Sequence, residues 1–285
     1  MSGKLRPPTD ADVPAIVLLA SEHSPEPVGE DDVKRSWTSP EVHVERDVRY
    51  EGTSYGMVES IGDGRAWIEL RGDPSPAMLN WAEARAVEIA PRLFSGGWSG
   101  QASLLRALEE RGFRLIRHSH RMLIDLSRPT PAPVWPDGIE CRTFRASDER
   151  TFYDVYVESF KDSWEPIEES YEMWAHWLLD GPSFVPDLWF LALEGDEPTG
   201  AAICHPHETA EDLGWVRILG VRRPWRKRGL GRALLLEAFA AFRERGFARA
   251  GLGVDAESVT GANRLYEQAG MHVSARFDVY EKVLT

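Results

Sequence analysis

The stretch from Ser127 to Gly138 sets Pro129, Pro131, Pro133 and Pro136 close together, and no continuous helix or central strand survives such a run. Proline fixes φ and brings no amide donor, so the segment reads as a semi-extended linker. In a chain of 285 residues it leaves segments 1–126 and 139–285, each long enough to bury its own core. Two domains joined at residues 127–138 are therefore expected. The longest apolar run, Val13 to Ala20, is far short of the ~20 residues a membrane helix needs, and Met1 to Pro8 carries no apolar leader. Cys141 and Cys204 are too few for a disulfide framework or a cysteine-built metal site. The expectation is a soluble, cytoplasmic protein that holds no metal.

The two segments share landmarks in the same order. Arg6 to Asp12 resembles Arg142 to Asp148, a short strand followed by an acidic helix start. Late in each, an amphipathic helix ends in glycine and an apolar residue: Leu104 to Arg111 before Gly112-Phe113, and Asn263 to Ala269 before Gly270-Met271. A divergent internal duplication accounts for both matches. Hydropathy along the second segment predicts strands at 139–144, 188–193, 199–205, 215–221 and 249–254, and a closing strand or hairpin at 272–283. Helices are predicted at 149–160, 167–179, 229–245 and 262–269. That order is α+β, a mostly antiparallel mixed sheet flanked by helices, with the first segment a weaker copy.

Lysine and arginine number 33 against 46 aspartates and glutamates, a net charge of −13. This disfavours a general binder of nucleic acid or anionic membrane, which must neutralise phosphates. One basic run stands against the acidic background, Arg222-Arg223-Pro224-Trp225-Arg226-Lys227-Arg228. It follows the apolar strand ending Leu219-Gly220-Val221 and precedes Gly229 and Gly231, which open a helix repeating Leu234, Leu235, Ala238 and Phe242. Glycines let the backbone approach an anion, and the unpaired amides of a helix start turn their positive end toward it. With cationic side chains added, the segment reads as a diphosphate cradle. It is no Walker A loop, because no Lys-Ser/Thr pair follows the glycines. It is no dinucleotide fingerprint, because Leu234 takes the place of the third glycine. Gly251-Leu252-Gly253, with Asp255 close behind, reads as a strand.

The spacing Arg226-x-x-Gly229-x-Gly231 after an apolar strand resembles the acyl-CoA-binding signature of the GNAT (GCN5-related) N-acetyltransferases. A second element, Gly261-Ala262-Asn263-Arg264-Leu265-Tyr266-Glu267-Gln268-Ala269-Gly270-Met271, looks like that family's late helix with its tyrosine. The match covers roughly residues 139–285. The doubled architecture is similar to the tandem group of the family that includes mycothiol synthase. The resemblance implies two GNAT-like domains in tandem and acetyl-CoA as co-substrate. It implies transfer of an acetyl or short acyl group to a primary amine of a small molecule by direct attack, carried out by a monomer or homodimer. It also implies roles. Leu219, Gly220 and Val221 would pair through their backbone with the pantetheine arm. The amides of Arg226, Lys227, Arg228, Gly229, Leu230, Gly231 and Arg232 would hold the pyrophosphate. The helix start from Ser258 to Asn263 would lie along the other side of the cofactor, and Tyr266 would protonate the departing thiolate. A phenol with an ordinary pKa near 10 stays protonated at neutral pH and suits that task.

Some positions depart from the family pattern. Ser258 stands where relatives often have Asn. Trp215 and Gly253 replace a Glu and a substrate-contacting Tyr of mycothiol synthases, which argues against mycothiol synthesis itself. Trp215 also removes the obvious general base, leaving His205, His207, Glu208, Glu211 and Asp212 within sequence reach. For the acceptor, residues 152–177 interleave Phe152, Tyr153, Tyr156, Phe160, Trp164, Tyr171, Trp174 and Trp177 with Glu158, Asp162, Glu165, Glu168, Glu169 and Glu172. Aromatic rings with carboxylates suit an organic amine, although amphipathic core helices with solvated acidic faces read the same way. In the first segment, Trp67 to Leu70 runs into Asp73, Pro74 and Pro76, and Leu108 stands where Tyr266 stands in the second. Residues 1–126 are thus expected to be a degenerate, non-catalytic copy. The alternative is a tandem protein of this family that binds or senses acyl-CoA without catalysis.

Overall fold

Both halves of the chain begin with the same local device. In the computed structural model, which describes residues 4–25, 28–163, 169–180, 183–207, 209–258 and 260–284, Arg6 grips Asp12 with two hydrogen bonds of 2.8 and 2.7 Å. Arg142 grips Asp148 in the same way, at 2.5 and 2.9 Å. Each carboxylate also accepts the backbone N–H three residues before it, from Thr9 and Arg145. A short 3-10 turn then leads into the first long helix of its half. The guanidinium partners hold both carboxyls below the usual range. The late helices close alike as well. Phe113 N–H returns to Leu108 and Met271 N–H to Tyr266, with left-handed Gly112 and Gly270 between (φ 84° and 97°). The duplicated landmarks of the sequence are therefore duplicated geometry, and Leu108 is the counterpart of Tyr266.

The compact units do not follow the Pro-rich stretch. One comprises Met1–Ser119 with Ala275–Thr285, the other His120–Ser274, so residues 127–138 lie wholly inside the second. The last strand returns to the first unit, where its residues 277–283 pair along their length with residues 98–92. Local pattern marks a segment as a strand but does not name the strand it pairs with.

In the first unit, α1 (Val13–Ser21), α2 (Glu30–Trp37) and α3 (Val44–Asp47) precede β1 (Val48–Tyr50), β2 (Ser54–Ser60) and β3 (Arg65–Gly72). Next come α4 (Pro76–Ile89), β4 (Arg92–Trp98), α5 (Ala102–Glu110) and β5 (Arg114–Asp125), which continues into the second unit. β1, β2 and β3 are antiparallel neighbours, and β3 pairs with β4 in parallel. Met78, Leu79, Ala82 and Ala86 of α4 pack on Val58, Ile68 and Leu70 of the sheet. Glu59 on β2 has its carboxyl pushed up to about 7 by burial and by the charges of Glu69 and Glu41. A folded-state pKa above the ordinary 4.5 means stability present at low pH is lost as pH rises through 7. Glu59→Gln is accordingly expected to raise Tm by a few degrees at pH 8 and to leave it unchanged near pH 4.5. A gain of equal size at both pH values in thermal denaturation would rule out the buried charge as its cause.

In the second unit, β6 (Ile139–Thr143), α6 (Glu149–Phe160), α7 (Tyr171–Leu178), β7 (Trp189–Glu194), β8 (Glu197–Pro206) and β9 (Leu213–Val221) lead to α8 (Leu230–Glu244). β10 (Arg249–Asp255), α9 (Ala262–Gln268) and β11 (His272–Val283), which ends in the first unit, follow. The sheet order is β10-β9-β8-β7-β6, antiparallel except for β9 and β10. Strand residues alternate between faces as the pleat requires. Phe190, Ala192, Ala202 and Cys204 meet Leu234, Leu235, Ala238 and Phe242 of α8, while Leu191, Ala201, Ile203 and Ile218 meet Phe152 and Val155 of α6 and Trp174 of α7. The predicted elements are all present. The helix expected from Ile167 is described from Tyr171, and Ile167 lies outside the described residues.

Candidate functional site

The site grows from a strand that loses its neighbour. β9 and β10 pair only through Leu213↔Arg249, Gly214↔Ala250 and Trp215↔Gly251. Beyond Trp215 that edge of β9, including Leu219, Gly220 and Val221, faces no paired strand among the described residues. Its main-chain groups are left for another partner. A bulge opposite Ile203 and Cys204 adds Arg217 to β9, so Arg217 and Ile218 sit side by side on the α6–α7 face. Gly220 is pressed against α6, where a Cβ would lie 2.9 Å from the Ser159 side chain.

From Val221 the chain enters the basic turn, and here the structure corrects the sequence reading. The cationic side chains do not crowd toward an anion, because carboxylates already hold most of them. Arg222 pairs with Glu158 (2.6 Å) and Glu197, Arg223 with Asp162, and Arg226 with Asp162 (2.5 Å). Arg228 pairs with Glu194 (2.9 Å), which also accepts Trp225 Nε1–H (2.9 Å). Arg226 further donates to the carbonyls of Val221 and Ser159, tying the turn to the ends of β9 and α6. These contacts shape the loop and neutralise it as a nucleic-acid patch. Lys227 and Arg232 are cations of the segment with no carboxylate partner among the described residues.

What the turn offers is its backbone. Lys227 and Gly229 adopt left-handed φ of 62° and 91°, and α8 begins at Leu230. Among the described residues, the amides of Lys227, Arg228, Gly229, Leu230, Gly231 and Arg232 donate to no protein acceptor. The Arg226 amide is already taken by the Arg223 carbonyl, so the open run begins one residue later than the sequence placed it. Left-handed residues leading into the first turn of a 15-residue helix make a concave nest of N–H groups, which fits a diphosphate. The acyl-CoA expected from the sequence therefore has a backbone suited to it.

The matching turn of the first unit is closed. There Pro76 at the start of α4 has no N–H, Met78 N–H bonds the Ser75 hydroxyl (3.2 Å), and Glu51 accepts both the amide and hydroxyl of Ser75 (3.0 and 2.8 Å). A carboxylate stands where an anion would bind, so among the described residues this turn forms no open cradle.

α9 and the loop before it supply the remaining predicted residues of the second unit. Tyr266 is 7 % exposed, burial pushes its phenol up to about 12, and its hydroxyl bonds no described residue. Asn263 clips the end of β10 by donating to the carbonyls of Asp255 and Ala256 (2.9 and 3.1 Å). Its Oδ1 is buried without a donor among the described residues. Ser258 turns its hydroxyl to Thr260 (2.8 Å), an arrangement internal to the loop.

The base candidates divide. Asp212 is held in a two-bond pair with Arg249 (2.8 Å each), which lowers its pKa and its basicity. His205 Nδ1 lies 2.8 Å from the Pro206 carbonyl, and His207 meets Trp215 edge-on at 6.1 Å. Glu208, Trp164, Glu165 and Glu168 lie outside the described residues. Trp215 itself carries the Arg121 guanidinium over its ring at 4.2 Å. The acceptor stretch is partly core. Phe152 and Trp174 are fully buried, and Tyr153, Tyr171 and Trp174 pack on one another. Tyr156, Phe160, Glu169 and Trp177 of that stretch, with Trp174, border a cavity of about 280 Å³ between α6, α7 and β9, which Arg217 also lines. Arg217 escaped the sequence reading because only the bulge turns it to this face.

A model of the acetyltransferase (GNAT) family matches residues 150–271. The chain is 34 % identical over 171 residues to a mycothiol acetyltransferase of Thermobispora bispora, in an alignment covering 56 % of this chain and 55 % of that protein. It is 29 % identical over 248 residues to a mycothiol acetyltransferase of Rhodococcus erythropolis, covering 77 % and 81 %. The chain thus spans about half the length of the first curated relatives it matches. A solved GCN5-related N-acetyltransferase from Sphaerobacter thermophilus superimposes with a TM-score of 0.80 at 31 % identity, over 98 % of this chain and 95 % of that one. A tandem GNAT protein from the clavulanic acid biosynthesis pathway gives a TM-score of 0.71 at 14 % identity, over 98 % of each chain, a likeness of fold.

Proposed function

Since this chain belongs to the GNAT family of acetyltransferases, we propose that it moves an acetyl group from acetyl-CoA to a primary amine of a small molecule, using its second half. The observation that carries the proposal is the run of open amides from Lys227 to Arg232, joined to the open edge of β9 on one side and flanked by α9 on the other. The amides would hold the pyrophosphate, and Lys227 and Arg232 would add charge. Leu219, Gly220 and Val221 would pair with the pantetheine arm. Asn263 Oδ1 would accept from the cofactor, and Ser258 would line the same side.

The chemistry assigned to the chain is direct transfer. The neutral amine forms its N–C bond at the thioester carbonyl while amides on the open edge of β9 polarise the carbonyl oxygen. The C–S bond breaks, Tyr266 gives its proton to the sulfur, and the proton released by the amine returns to the phenolate through solvent. With its pKa near 12, Tyr266 is protonated across the working pH range. The first half, whose matching turn offers no run of open amides among the described residues and which has Leu108 in place of the tyrosine, takes no chemical part. We place the protein in the cytoplasm, acting on a small molecule as a monomer or homodimer. The free thiols of Cys141 and Cys204 fit a reducing compartment. Among the described residues no helix is long and apolar enough to cross a membrane.

Release of free thiol from acetyl-CoA, followed across a panel of polyamines, amino sugars, amino acids and amine antibiotics, tests this reading. Thiol release that depends on one class of amine is expected. Stabilisation by acetyl-CoA with no turnover across the panel would replace the reading with the binding-only alternative.

A further inference from the structure

The cavity against β9 is built for more than an amine. Its walls are mostly rings, those of Tyr156, Phe160, Trp174 and Trp177, joined by Leu178 and Ile218, and it holds two opposite charges that do not pair with each other. Among the described residues the Glu169 carboxylate receives only a long contact from the Tyr156 hydroxyl (3.4 Å), while its backbone carbonyl accepts the Tyr153 hydroxyl (2.8 Å). Arg217 forms no hydrogen bond or ion pair with any described residue, although Arg222, Arg223, Arg226 and Arg228 of the turn that follows β9 each hold a carboxylate. A carboxylate and a guanidinium facing one cavity, kept apart and framed by apolar surface, are complementary to a ligand carrying both signs. The cavity volume of about 280 Å³ suits a compound of amino-acid size.

We propose that the acceptor is a small amino-acid-like zwitterion with an apolar side chain, its ammonium set against Glu169 and the rings, its carboxylate read by Arg217. The assignment rests on the acetyl-transfer reading for making this compound the second substrate, because Ile218 of the cavity wall lies on the same strand as Leu219, Gly220 and Val221. Burial raises the Glu169 pKa while the Arg217 charge and the Tyr156 hydroxyl oppose the rise, so an arriving ammonium removes a desolvation cost the free protein bears. Arg217 is then a specificity residue. It distinguishes an amino acid from the amine that lacks its carboxylate.

The test is calorimetric titration of the whole protein, with and without CoA, using L-phenylalanine against phenethylamine and L-leucine against isoamylamine. In each pair the amino acid is expected to bind about tenfold or more tightly. Arg217→Leu should erase that ratio by weakening the amino acid alone, and Arg217→Lys should keep part of it. Glu169→Gln should weaken all four compounds. Arg217 is exposed, so its variants are expected to fold, with unchanged Tm as the check. An amine bound as well as its amino acid, a ratio that survives Arg217→Leu, or no heat from any of the four would overturn the proposal. Binding is read without turnover. A preserved ratio with no thiol release from acetyl-CoA would remove the acetyl-transfer reading and leave the zwitterion site standing.

Discussion

Tyr266→Phe is expected to lower kcat for acetyl transfer about a hundredfold while KM for acetyl-CoA stays within about twofold. The separation follows from where the hydroxyl sits. Its ring is 7 % exposed on the buried side of α9, and its oxygen bonds no described residue, so its removal breaks no protein hydrogen bond. The stability of the variant should match the parent, because phenylalanine refills the same ring volume. What disappears is the proton for the departing sulfur, an interaction made only as the C–S bond breaks. An effect confined to the transition state appears in kcat. The chain carries its own comparison, since the first half closes the matching helix with Leu108 at that position. Steady-state kinetics with a melting curve for each variant separate the cases, and an undiminished kcat would take Tyr266 out of the mechanism.

Replacing Gly229 and Gly231 together by valine is expected to weaken acetyl-CoA binding at least about a hundredfold, or ~2.7 kcal/mol. At Gly229 the obstacle is conformational. Its φ of 91° is a region a β-branched residue rarely enters, so the turn must re-aim its amides. At Gly231 the obstacle is spatial, because a Cβ would approach Leu265 of α9 to 3.2 Å and disturb the first turn of α8. Several charge-assisted hydrogen bonds depend on that geometry, each worth roughly 1.5–3 kcal/mol. Gly246→Val is the control. Gly246 ends α8 with a comparable φ of 85° and open space at its Cβ, so the variant should lose similar stability and keep the cofactor. Titration heats unchanged in the double variant would show that this turn does not carry the pyrophosphate.

The helix starts and stops were legible because they are written in a few adjacent residues. Gly229 and Gly231 after an apolar strand, and Gly270 after Tyr266, describe conformations that only neighbouring atoms decide. The paired Arg–Asp clamps were legible as a repeat for the same reason, each spanning one short turn. The partners of the basic run were not. Glu158 and Asp162 lie on or just after α6 and Glu194 and Glu197 on separate strands, so nothing near Arg222 announces that its charge is already answered. The first half shows the same limit. Its prolines predicted a poor cradle, but Glu51 sealing Ser75 across twenty-four positions emerged only in the fold.

By itself the sequence determined the α+β element order, the duplication, the glycine-opened turn after β9 and the tyrosine on α9, because these are periodicities and local dihedral demands. Tertiary structure alone decided three matters: which unit the last strand joins, that carboxylates already hold most arginines of the basic run, and that Glu169 and Arg217 share one cavity without pairing with each other. The physical reason is range. Backbone conformation is set within a few residues, whereas charge pairing, strand partnership and the walls of a cavity depend on which distant segments the buried core brings together.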